Sequence, residues 1–173
     1  AYEIPLSDWS SDVCSSDPDN PAIDGGGAIT ITGDANGDDD TFFGLTDVEG
    51  SLEAGTLADN SRIFNVTDAD AATTLQGLTL TGGRTHADYA GGGAVRSEAA
   101  LTIAGSVLGG NSTGGYAAAG GAVFANSITL TDSVIDGNAT SGDFATGGGV
   151  SGVDATITDS VIANNSTTVA FAT

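Results

Sequence analysis

Two short stretches hold the residue types that do chemistry. "GDANGDDDTFFGLTD" places Asp34, Asn36 and Asp38 at alternate positions, with Asp40 two residues further on. This is the 1-3-5-7 order of oxygen ligands in calcium loops, and hard cations take such donors. The rest of an EF-hand does not follow. The twelfth position is Leu45, where a bidentate Glu belongs, and the sixth is Asp39 rather than Gly. Two readings fit the cluster: a bound Ca²⁺ and a solvated acidic turn. The second stretch, "GGRTHADYAGGG", holds Arg84, His86 and Asp88 beside Tyr89. Spacing of two would put the first three on one face of a strand, poised for a ligand. A polar surface loop is the competing reading. His86 is the only imidazole in the chain, which excludes a metal site built from several histidines.

The charge balance narrows the partners. The 173 residues carry 23 acids against Arg62, Arg84 and Arg96, with no Lys, for a formal charge of -20. Such a surface repels phosphate backbones, so no nucleic-acid partner is expected. No apolar run approaches the roughly 20 residues of a membrane helix, so no membrane insertion by this segment is expected. The same charge favours solubility, tolerance of high salt, or cations as partners.

The elements that must position these residues repeat. "LTIAGSVLGGN" from Leu101, "ITLTDSVIDGN" from Ile128 and "ATITDSVIANN" from Ala155 align without gaps, each 27 residues from the last. A weaker copy, "TTLQGLTLTGG", begins at Thr73, and "AITITG" from Ala28 reads as the strand of an earlier turn. Glycine blocks precede the three clear copies, at Gly91, Gly120 and Gly147. A repeat of this length signals a solenoid. Within each unit apolar residues alternate with Thr, which is strand periodicity, and Asp, Asn and Gly at the ends form turns. One such unit cannot bury its apolar face, but stacked units bury a continuous core. The expected fold is all-β: a single-stranded parallel β-helix of about five coils.

Columns follow from the stacking. Asn111, Asn138 and Asn165 recur at 27 residues and are expected to form a structural ladder, each amide bonded to the next. Ser106, Ser133 and Ser160 form a second column. Val107, Val134 and Val161 lie beside Leu108, Ile135 and Ile162, and one of these two columns must face the core. The glycine blocks mark tight bends. The variable stretches "STGGYAAA" and "TSGDFAT" are expected to be loops emerging on one side. Asn65, Asn111, Asn138 and Asn165 each open an Asn-x-Ser/Thr triplet, but the ladder accounts for the last three. Tyr116 and Phe144 are loop aromatics that could stack on sugars or pack locally.

Residues 1–17, "AYEIPLSDWSSDVCSSD", share no periodicity with the rest and carry the only Trp and the only Cys. They resemble the translation of a sequencing-library adapter. Ala1 to Ile4 and Asp8 to Asp17 follow its two constant parts, and Pro5 and Leu6 fall at the variable index. Residues 1–17 are therefore expected to be foreign to the fold, and residues 18–173 to form the β-helix. Trp9 and Cys14 then lose functional meaning, and no thiol remains for a disulfide.

The repeat units, with Gly120-Gly-Ala-Val123 and Phe124-Ala-Asn126 as the clearest, resemble right-handed β-helix repeats of bacterial surface proteins. They are especially similar to the polymorphic outer membrane protein type, whose units carry GGA-aliphatic and Phe-x-x-Asn motifs. The resemblance implies a right-handed helix, secretion and display at the outer membrane or cell surface. It also implies an adhesive or structural role, with glycans or host-cell surface molecules as partners. An incomplete solenoid, part of a longer chain, is expected, because open ends expose strand edges. The alternative is a stretch of a polysaccharide lyase or hydrolase whose catalytic coils lie elsewhere. No catalytic residue is assigned, and Ca²⁺ is the only cofactor the residues suggest.

Overall fold

The computed structural model describes residues 22–33, 62–67, 69–70 and 72–169. Both the adapter-like residues 1–17 and the cluster Asp34, Asn36, Asp38 and Asp40 lie outside the described residues. Five long strands form stacked rungs: β1 (Ala22–Thr32), β3 (Thr73–Thr81), β5 (Val95–Ala104), β8 (Val123–Thr131) and β11 (Val150–Thr158). Shorter strands complete the turns: β2 (Phe64–Val66), β4 (Arg84–Thr85), β6 (Val107–Gly109), β7 (Ser112–Thr113), β9 (Val134–Asp136), β10 (Ala139–Ser141), β12 (Val161–Ala163) and β13 (Ser166–Thr168). Every pairing is parallel, and each strand bonds to its counterpart one repeat away, as in Leu101↔Ile128 and Ile128↔Ala155. This is a parallel β-solenoid. The sequence reading expects about five coils; the described residues hold five rungs, which bound about four turns.

The interior is built by the alternation. Leu75, Ile103 and Leu130 stack in one fully buried column, and Leu80, Leu108 and Ile135 in another. Val95 and Val123 form a third on the adjoining side. Of the neighbouring columns left open by the sequence, the Leu/Ile column faces the core. Leu108 and Ile135 are wholly buried, whereas Val107 is 42 % exposed. Each buried aliphatic side chain contributes about 1.5–3 kcal/mol of burial, and only a neighbouring rung supplies the cover. The last rung has no rung beyond it among the described residues, so Ile157 and Ile162 stay exposed.

The corners have their own chemistry. Gly77, Gly105, Asp132 and Asp159 share a column, and all have positive φ between 48° and 61°. The residue after each is Leu78, Ser106, Ser133 or Ser160. There the backbone turns, and a side-chain oxygen replaces the carbonyl that a straight ladder would offer. The N–H of Leu78 donates to Ser106 Oγ, that of Ser106 to Ser133 Oγ, and that of Ser133 to Ser160 Oγ, at 3.1–3.2 Å. Asp132 and Asp159 are exposed residues of this turn and adopt the left-handed conformation that Gly105 supplies without strain.

The variable stretches differ from the projecting loops expected. They are short and bonded rung to rung: Tyr89 N–H donates to the Tyr116 carbonyl, and Ala117 N–H to the Asp143 carbonyl, both at 2.7 Å. Isolated bridges join Gly91 to Ala119 and Ala119 to Thr146. Their exposed side chains include Tyr116, Phe144 and Thr146, while the backbone keeps the register.

Candidate functional site

The second corner column carries the Asn ladder. Gly82, Gly110, Gly137 and Asn164 take positive φ and are followed by Gly83, Asn111, Asn138 and Asn165. The N–H groups of Gly83, Asn111 and Asn138 each donate to the Oδ1 of the Asn one rung on, at 2.9 Å. The Nδ2 groups of Asn111 and Asn138 donate to the same oxygens, at 3.0 and 2.9 Å. They also reach back to the carbonyls of Leu80 and Leu108. Asn111 and Asn138 are 1 % exposed, so this is internal scaffolding and closed to a ligand.

Beside it, the strands β4, β7, β10 and β13 form a separate four-stranded sheet. A shallow groove of about 240 Å³ runs across it, lined by Arg84, Ser112, Ala139, Ser141 and Thr168 among others. Beneath it Thr85, Thr113, Thr140 and Thr167 lie in register, and the hydroxyls of Thr85 and Thr113 are buried without a hydrogen-bond partner.

The Arg84, His86, Asp88 trio is not arranged on one strand. β4 ends at Thr85, and Asp88 and Tyr89 lie in a turn where Tyr89 has a φ of 60°. Arg84 lines the groove, while Asp88 Oδ1 accepts the Tyr116 backbone N–H at 2.9 Å. Asp88 thus ties one rung to the next. Tyr89 turns out to belong to a different group. Its ring meets Tyr116 edge to face at a centroid distance of 5.5 Å, and Tyr116 meets Phe144 at 5.4 Å. The three rings form a ladder on the outer corner, with Tyr89 74 %, Tyr116 43 % and Phe144 69 % exposed. The sequence reading singles out all three aromatics but does not join them. Tyr89 and Phe144 occupy equivalent left-handed positions with Ala117 between them, so Tyr116 sits one residue out of register.

Arg62 is a further structural residue not singled out by its sequence context. Its Nε and Nη2 donate to the carbonyls of Gly92 and Gly91, both at 2.9 Å. Burial, and secondarily the nearby Arg96, lower its pKa from the ordinary guanidinium value. Among the described residues no group of three or more His, Cys, Asp or Glu is placed to hold a metal ion.

Comparison with protein-family models, curated proteins and solved structures finds no match. The fold therefore defines the class, a parallel β-solenoid, and the polymorphic outer membrane protein pattern rests on its motifs alone. One of those motifs departs from the pattern. Phe124-Ala-Asn126 has one residue between Phe and Asn, one fewer than Phe-x-x-Asn. Its rung is also one residue shorter here than the preceding one, as the register shift between Ser97 and Ala100 shows.

Proposed function

We propose that this chain is a structural and adhesive segment of a bacterial surface protein, of the polymorphic outer membrane protein repeat kind, displayed outside the cell. One observation carries the reading: the Ser and Asn side chains that close the corners are repeated and buried, while the side chains of the groove and of the outer aromatic corner change from rung to rung. The equivalent groove positions are Arg84, Ser112 and Ala139, above a Thr column that does not change. A scaffold held from within leaves its surface free to vary for contact, which is the economy of a solenoid that binds along its length. The strong negative charge suits display in water and disfavours anionic partners.

Beads coated with the full chain should attach to cells or extracellular matrix above beads carrying an equally acidic, unrelated protein. Equal attachment of the two would overturn the adhesive reading. The competing reading, a carbohydrate-active solenoid, would instead show as new reducing ends or unsaturated sugars when the chain is incubated with polysaccharides.

A further inference from the structure

The geometry points to the Tyr89–Tyr116–Phe144 ladder as a binding site for an extended, uncharged glycan. The inference deepens the adhesive reading and rests on it for its biological role. Three observations converge on this corner. First, Tyr89 and Phe144 hold φ of 60° and 59°, a conformation that bulky side chains rarely adopt and that Gly would fill without strain. Ala117 occupies the same position in the rung between them at a φ of 53°, so the fold does not call for a ring there. Aromatics stand at two strained positions outside the hydrophobic core, and such strain collects at functional sites.

Second, the rings face water. Tyr89 and Phe144 are each more than two-thirds exposed, and the intervening Tyr116 is turned 70° and 64° from them. Two exposed rings therefore stand two rungs apart, about 9.6 Å along the solenoid axis. That separation is close to the length of a disaccharide in an extended chain. The apolar C–H face of one sugar would lie on each ring, with the sugar between them passing over the edge of Tyr116.

Third, the surroundings select the partner. Asp88 and Asp143 flank the rings, and the groove residues Arg84, Ser112 and Ser141 lie three to five residues earlier on the same turns. Hydroxyls and carboxylates offer hydrogen bonds to sugar hydroxyls, the pattern of a site with aromatic walls and a few placed polar groups. The charge of -20 disfavours uronate, sulfated or sialylated chains. A strip one ring wide is too narrow for a protein interface, which buries about 800 Å² on each partner.

The test is calorimetric titration of the full chain with neutral glucan and mannan oligosaccharides of one to six sugars, and with oligogalacturonate as the charged control. Affinity should rise steeply once the oligosaccharide reaches three sugars, and oligogalacturonate should not bind. Y89G and F144G suit φ near 60° and should keep the far-ultraviolet circular dichroism of the parent; each should weaken binding about tenfold. The inference is overturned if no neutral oligosaccharide binds at millimolar concentration, or if both folded glycine variants bind like the parent. Beads that attach to cells while no oligosaccharide binds would sink the glycan site and leave the adhesive reading standing. Oligosaccharide binding without bead attachment would do the reverse.

Discussion

Asn138 Oδ1 accepts two hydrogen bonds from Asn111, one from its backbone N–H and one from its side-chain Nδ2. One side chain thus closes a corner where the strand ladder is interrupted. It satisfies the rung before it, and its own Nδ2 reaches back to the Leu108 carbonyl. The bonds to Oδ1 run one way along the chain, each rung donating and the next accepting, while Nδ2 also donates back to the rung before.

Asn138→Ala should therefore destabilise by about 2–4 kcal/mol, because the buried N–H of Asn111 and the Leu108 carbonyl both lose a partner. Urea unfolding followed by circular dichroism reads the loss as a lower midpoint. A midpoint within error of the parent would show that water replaces the amide and that the ladder is dispensable.

Adjacent residues on one strand should respond unequally. Leu108 is wholly buried and Val107 is 42 % exposed. Leu108→Ala should cost about 2–5 kcal/mol through the cavity it leaves, and Val107→Ala under about 1 kcal/mol. Comparing the two variants by thermal melting checks the assignment of the inner column. Equal losses would place the core elsewhere.

Two glycines separate conformational need from space. A Cβ on Gly121 would overlap the Gly148 carbonyl oxygen one rung on, so Gly121→Ala should prevent close stacking there and cost several-fold more than about 1 kcal/mol. Gly137 has a φ of 66° with open space around it, and Asn164 fills the equivalent position at 52°. Gly137→Asn should keep the melting temperature within a few degrees of the parent. The prediction fails if both variants melt alike.

Arg62 should not be replaceable by Lys. Its guanidinium spans the carbonyls of Gly91 and Gly92 with two nitrogens in a fixed fork, which an ammonium cannot copy. Arg62→Lys should lower stability by about 1–2 kcal/mol. Hydrogen exchange should show the loss locally, as faster exchange at Ile63 and Phe64, whose N–H groups bond to the Ala94 carbonyl beside the clamp. Unchanged exchange at both would mean that the fork merely rests on the surface.

The sequence reading reached the solenoid because its information is periodic. Leu101, Ile128 and Ala155 fall in register 27 residues apart, and strand alternation then assigns the faces. The Asn column was legible for the same reason. What escaped was whatever breaks the period. Tyr116 is offset by one residue from Tyr89 and Phe144, so alignment pairs them with Ala117 and hides the ring ladder. Arg62 acts through backbone carbonyls, which carry no residue type to recognise. The Arg84, His86 and Asp88 spacing looked like a strand face only because the left-handed turn at Tyr89 has no glycine to announce it.

The direction of the strands has a mechanical consequence. They run across the solenoid axis, so a pull along that axis loads the hydrogen bonds between rungs one row at a time. A rung bonded on one side only should peel before one bonded on both. Each detached turn would release about 27 residues, roughly 90 Å of extended chain, at low and nearly constant force. A segment built this way yields in steps, like a tape that pays out under tension and rewinds when the load falls.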